Sequence, residues 1–195
     1  IAMNTMSIHA LENPFLNYKN WKTPHGTYPF DEIELSHYMP AFEAGIEESL
    51  KEIAVIADNP AEPTFENTIV AYEKSGRLLD VVSSCFYNLT SANTSEEMQE
   101  LQMKITPKMS EYSTSIMLNE KLFSRIKTVY ESRSKLKLTQ EQSKMLEDIY
   151  EGFANNGANL QGKDRETFKE LNTKLSNLTT QFGQNALRAT NAWSM

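Results

Sequence analysis

Cysteine is nearly missing from this sequence: of 195 residues, Cys85 alone carries a thiol. One cysteine excludes an internal disulfide framework and any cysteine-based zinc cluster. Its place in an apolar helical stretch, with no base nearby in sequence, reads as a small buried hydrophobe and not as a nucleophile. Glycine is scarce at seven residues and forms neither a G-x-G-x-x-G nor a G-x-x-x-x-G-K-[ST] phosphate loop. Histidine is scarcer still. His9, His25 and His37 are followed by Ala10, Gly26 and Tyr38, so no His-Glu-x-x-His pair stands one helical turn apart. Three histidines so widely spaced read as surface or structural residues, and the sequence offers no catalytic, cofactor-binding or metal-binding residue. Positive charge is also short. Nineteen Lys and Arg face 26 Asp and Glu, a net charge of −7, and no basic cluster is present to track a phosphate backbone, which argues against nucleic acid as a partner. No apolar run approaches the roughly 18 residues that cross a bilayer, so no membrane span is expected.

What is present is enough for a core, with 39% hydrophobic and 23% charged residues, in a length that suits one domain. Residues 1–31 are rich in Asn, Pro and aromatics and read as an extended N-terminal arm, whose Phe15, Tyr18, Trp21, Tyr28 and Phe30 should lie against a helical body. Residues 32–195 form the helical region. Met39, Phe42, Ile46, Leu50, Ile53 and Ala57 recur at steps of three and four, which predicts a helix ending before Asn59-Pro60. Phe65 through Leu89 keep that spacing and predict one helix of about 25 residues, paired with the first as an antiparallel hairpin.

Thr94 and Glu97 suggest a capping box before a helix carrying Met98, Leu101, Ile105, Tyr112 and Ile116, in which Pro107 should produce a kink or break. Asn119 is a candidate N-cap for Leu122, Ile126 and Val129, and Thr139 with Gln142 forms a second capping box. Asn155 to Gly162 punctuates the chain and is the candidate internal boundary. A last helix carries Phe168, Leu171, Leu175, Leu178 and Phe182. Strand-like alternation is missing. The fold class is therefore all-α, a bundle of about five or six helices.

The acidic pairs Glu47-Glu48, Glu96-Glu97 and Glu147-Asp148 fall on predicted helices, where neighbours point in different directions, and read as solvated faces. Residues 1–10 loosely resemble the end of a signal peptide, and an ordinary flexible terminus fits them as well, so periplasm and cytoplasm both stay open. After Phe182 the helical composition runs on to Trp193 with neither Pro nor a capping Gly, as if the chain stopped within an element, and a natural tail that frays fits equally well. From the residues alone, this is an acidic helical scaffold.

Several blocks carry a resemblance. Pro29-Phe30-Asp31-Glu32-Ile33, Tyr38-Met39-Pro40-Ala41-Phe42-Glu43-Ala44-Gly45-Ile46, Pro63-Thr64-Phe65-Glu66-Asn67-Thr68-Ile69-Val70 and Phe86-Tyr87-Asn88-Leu89-Thr90 resemble, in order, the N-terminal region of bacterial peptidyl-dipeptidases. So do Leu118-Asn119-Glu120-Lys121-Leu122-Phe123 and Thr180-Gln181-Phe182-Gly183-Gln184-Asn185. These enzymes belong to the thimet oligopeptidase and oligopeptidase A family of zinc metallopeptidases. The resemblance implies a large, mostly helical, two-lobed enzyme that cuts short unstructured peptides in a deep channel. It further implies that zinc is held by a His-Glu-x-x-His helix and a downstream Glu, all lying beyond Met195. On that view this chain is an inactive channel-wall segment whose full-length enzyme takes short peptides and zinc, and the segment's uncovered helical face could drive self-association. A standalone helical module that binds a peptide or protein is the alternative.

Overall fold

The structure is a computed structural model, and it describes residues 13–193; the resemblance of residues 1–10 to a leader and the position of His9 lie outside these. Every regular element among the described residues is helical. Seven α-helices follow two short 3-10 turns, Pro14–Asn20 and Pro24–Gly26: α1 (Leu35–Ala57), α2 (Ala71–Glu73), α3 (Arg77–Ala92), α4 (Glu96–Met117), α5 (Glu120–Glu131), α6 (Gln140–Phe153) and α7 (Gly162–Ala192). The all-α expectation holds, with seven segments in place of five or six because one predicted helix is divided.

That division occurs at Gly76. The apolar period from Phe65 to Leu89 is continuous in sequence, but Lys74-Ser75 form a turn and Gly76 takes φ +75°, a left-handed conformation that suits glycine, so α3 begins afresh at Arg77. Upstream, Phe65–Val70 winds as a π-helix before the single turn of α2. Periodicity reports which residues are apolar, and a change of axis at one residue leaves it intact. The cap of α4 is shifted by one position: Ser95 Oγ, not Thr94, accepts the Met98 N–H at 3.2 Å. Pro107 does not break α4, which runs unbroken from Glu96 to Met117. Asn119 caps α5 by accepting from the Leu122 N–H at 3.0 Å, and the Thr139–Gln142 capping box opens α6, both as the sequence indicates.

The chain forms two compact units. One contains Ile1–Ser49 and Gly76–Ile105. In it the first half of α1 runs antiparallel to α3, since Tyr38 meets Phe86 while Gly45 lies against Leu79. The rings of Phe15, Tyr38, Phe86 and Phe42 follow one another at centroid distances of 5.1, 5.1 and 5.5 Å, and all four are buried. The arm is pinned to this body. Asn13 Nδ2 donates to the His37 carbonyl at 2.9 Å, the Tyr28 hydroxyl donates to the Val81 carbonyl at 3.1 Å, and Phe15 is wholly buried. Of the five arm aromatics, Phe30 packs on the Tyr28 ring at 5.7 Å but stays 57% exposed.

The other unit contains Leu50–Ser75 and Thr106–Met195. Its core gathers Ile53 and Ile56 from the end of α1, Phe65 and Ile69 from the π-helix, Ile116 from α4, Leu122, Ile126 and Val129 from α5, and Leu146 and Phe153 from α6. Aromatic rings seal it. Phe123 stacks on Tyr150 and Phe153, and Tyr130 lies parallel to Tyr150 at 3.9 Å under the Arg133 guanidinium. The Asn155–Gly162 punctuation is a π-turn, Ala154–Ala158, with Gly157 at φ +89°, and both of its flanks belong to this unit.

Close approach in the first unit gives a test. A Cβ on Gly45 would lie 3.0 Å from the Leu79 Cα and N, which are backbone atoms and cannot swing aside. Gly45→Ala should lower the unfolding free energy by about 1–2 kcal/mol, because overpacking of roughly 1–3 kcal/mol outweighs a helix-propensity gain of up to about 1. Urea titration followed by circular dichroism measures it; an unchanged or raised midpoint would contradict the packing.

Candidate functional site

The most concentrated polar arrangement sits in the core of the second unit. Arg125 occupies the apolar arc of α5, at i+3 from Leu122 and i−4 from Val129, and is only 7% exposed. Its guanidinium meets no carboxylate among the described residues. Nη1 donates to the Asn59 and Ala61 carbonyls at 2.7 and 2.9 Å, and Nη2 donates to Asn67 Oδ1 at 3.0 Å and Thr68 Oγ1 at 3.4 Å. Nε is buried without a partner. A buried cation is tolerated when oriented dipoles replace its hydration, and these acceptors come from the loop after α1 and the start of the π-helix.

Asn67 is the second hub. Its Oδ1 also accepts from the Thr64 N–H at 2.8 Å and the Thr68 hydroxyl at 2.9 Å, while its Nδ2 donates to the Glu62 carbonyl at 2.9 Å. Thr64 Oγ1 returns the bond by accepting from the Asn67 N–H. Pro63 to Val70 is thus a turn tied together by Thr64, Asn67 and Thr68, while Glu66 stays exposed. It positions chain and does not present a reactive group.

A second feature lies along α4 and α7. Ser176 Oγ donates to Ser110 Oγ at 3.2 Å, and Thr106 and Thr180 pair through their hydroxyls at 3.2 Å, so the helices run antiparallel across a seam of small hydroxyls. Arg165 fastens the start of α7 by donating to the Leu118 carbonyl and pairing with Glu120. Beside the seam a cleft of about 840 Å³ is lined by Glu111, Thr114 and Leu118 of α4 with its following turn, and by Lys169, Lys174 and Leu178 of α7. Both charge signs are present. It has the size of a small-ligand pocket but no convergent acid–base pair.

The residues weighed for chemistry in the sequence remain apart. Cys85 is buried on α3, its Sγ 3.4 Å from the Tyr38 hydroxyl. Burial pushes the thiol above its ordinary 9.0, and burial together with the Cys85 hydrogen bond pushes the Tyr38 phenol well above 10.0. Such a thiol is a poor nucleophile at neutral pH. His25 is exposed in the second 3-10 turn, and His37 Nδ1 accepts from the Glu34 N–H at 3.0 Å. Glu47, Glu96, Glu97, Glu147 and Asp148 are exposed and Glu48 is half-buried. No three His, Cys, Asp or Glu among the described residues come together as ligands, so this donor set does not fit a zinc ion.

Comparison with known proteins supplies what the geometry lacks. The sequence is 40% identical over 179 residues to the dipeptidyl carboxypeptidase of Escherichia coli K12, a match that takes in 91% of this chain and 26% of that protein. Oligopeptidase A of Haemophilus influenzae is 28% identical over 184 residues, 94% of this chain and 26% of the relative. The thimet-like oligopeptidase of Dictyostelium discoideum is 29% identical over 143 residues, or 71% and 21%. The chain is homologous to this peptidase family. It spans 26% of the length of the dipeptidyl carboxypeptidase and oligopeptidase A relatives it matches, and is a partial region of them. No protein-family model matches the chain. Within the family's shared stretch, Arg125 is the residue that sequence reasoning passed over, although a lone cation on the apolar arc of α5 was a visible signal.

Two measurements follow. Arg125→Met should cost about 2–4 kcal/mol, because it removes hydrogen bonds from a buried charged group to four acceptors, each worth roughly 1–3 kcal/mol; Arg125→Lys should recover only part. A variant as stable as the parent in urea would contradict the hub. Alkaline pH should destabilise the first unit. With folded values raised for Cys85 and Tyr38, the native state keeps protons that the unfolded chain releases, so stability is full below about 9 and declines as pH rises beyond it. Unfolding midpoints at pH 8 and pH 10.5 read this, and Tyr38→Phe should flatten the decline.

Proposed function

We propose that this chain is a helical wall segment of a zinc peptidase of the dipeptidyl carboxypeptidase and oligopeptidase A family, and that it performs no chemistry by itself. The observation that carries the reading is the pairing of 40% identity over 91% of this chain with coverage of only 26% of the relative. Hydrolysis by a metal-activated water needs two or three fixed ligands and a general base, which this reading assigns to other residues of the enzyme.

In the whole enzyme the substrates are short peptides, and zinc bound elsewhere in the polypeptide supplies the activated water. The contribution of these residues is shape. A stiff helical wall excludes folded chains and admits extended ones, which changes which peptides enter without touching the bond that is cut. The Arg125 and Asn67 network serves that role by fixing the end of α1, the π-helix and α5 relative to one another. The residue arrangement gives no observation that favours the standalone binding module over this reading.

The purified 195-residue polypeptide should leave a quenched fluorescent short peptide uncut and should carry no stoichiometric zinc by elemental analysis. Chelator-sensitive cleavage that follows the polypeptide through successive columns would overturn the assignment of catalysis to other residues.

A further inference from the structure

Helix α7 carries its apolar residues on a side left exposed among the described residues. At about 100° per residue, Leu171, Leu175, Leu178 and Phe182 fall within about 60° of one another, while Thr173, Ser176 and Thr180 lie on the opposite side. The hydroxyl side faces α4, through Ser176–Ser110 and Thr180–Thr106. The leucine side is left 59%, 63% and 52% exposed at Leu171, Leu175 and Leu178, and Phe182 is 74% exposed. A stripe of four large apolar side chains in water marks an interaction surface. Its spacing is informative. Positions 168, 171, 175, 178 and 182 alternate steps of three and four, the a and d pattern by which one helix seats another.

We infer that this stripe docks a helix from the part of the polypeptide that the family's members have and this chain does not; the inference rests on the proposed function above. Two observations select that occupant. The relatives share only 26% of their length with this chain, so most of their fold has no counterpart here to cover α7. The seam spans about two heptads, fewer than the three or four that mark a self-sufficient coiled coil, which suits a helix already held within a folded body and not a second copy of this chain. Leu178 also lines the cleft beside α4, so the docked helix would have the apolar stripe beneath it and Glu111 and Lys174 beside it.

The test compares the 195-residue chain with a full-length chimera in which it replaces the matching region of the Escherichia coli dipeptidyl carboxypeptidase. Leu175→Cys is placed in both, and maleimide labelling is read peptide by peptide, with buried Cys85 as the protected reference. The new thiol should react freely in the isolated chain and at least ten-fold more slowly in the chimera. The double substitution Leu175→Asp and Phe182→Asp should leave the isolated chain's melting temperature unchanged and lower the chimera's by at least about 5 °C. Equal labelling rates, or a chimera that tolerates both aspartates, would overturn the docking face. Concentration-dependent protection in the isolated chain would assign the stripe to a second copy and overturn it as well. Should the chimera not fold, the isolated chain is titrated with the separately produced remainder of the Escherichia coli enzyme, and lack of protection at position 175 overturns the inference. Peptide hydrolysis by the chimera reads the family assignment separately. Protection without hydrolysis sinks that assignment alone, and hydrolysis with an unprotected position 175 sinks the docking face alone.

Discussion

A guanidinium held by neutral acceptors organises the second unit. Arg125 is buried with no carboxylate beside it among the described residues, and its charge is spread over two carbonyls, an amide oxygen and a hydroxyl. Those acceptors lie in the loop after α1 and the first turn of the π-helix, so one side chain sets the spacing of three elements. Hydrophobic burial alone is non-directional and would not fix that spacing. Once α5 is placed, Leu122, Ile126 and Val129 face Phe65 and Ile69, and the aromatic rings of α6 close over them. The same α5 begins at the Asn119 cap, beside the Leu118 carbonyl and Glu120 that Arg165 grips, so the start of α7 is anchored to the same assembly.

Beyond that anchor, α7 is held weakly for its length. Hydroxyl pairs contribute on the order of 1 kcal/mol each, whereas a fully buried leucine or phenylalanine contributes about 1.5–3 kcal/mol. The helix thus spends its polar side on α4 and leaves its strongest packing side uncovered. The proposed reading as a wall segment accounts for this character, because contacts with the rest of a larger enzyme would complete its stability.

The sequence made much of this legible, and its failures have physical causes. Helix type followed from the three-four period, and the caps at Asn119 and Thr139 followed from side chains that can accept orphan N–H groups. Gly76 was missed because a left-handed turn interrupts the axis without disturbing the apolar count. Ser95 displaced Thr94 as a cap because both are hydroxyl residues and only the backbone geometry chooses between them. Leu171 to Phe182 was legible as an apolar stripe, but not as an exposed one, because period tells which side is apolar and not what lies opposite. The active site was not legible in any form. The proposed function came from block-by-block resemblance, and homology over 91% of the chain supports that resemblance.

The central claim is that the chemistry belongs to residues outside these 195. The most direct measurement is the nucleotide sequence of the gene beyond the codon for Met195. The account predicts an open frame continuing for several hundred codons and encoding a His-Glu-x-x-His helix. A stop codon directly after Met195 in the native gene would contradict it.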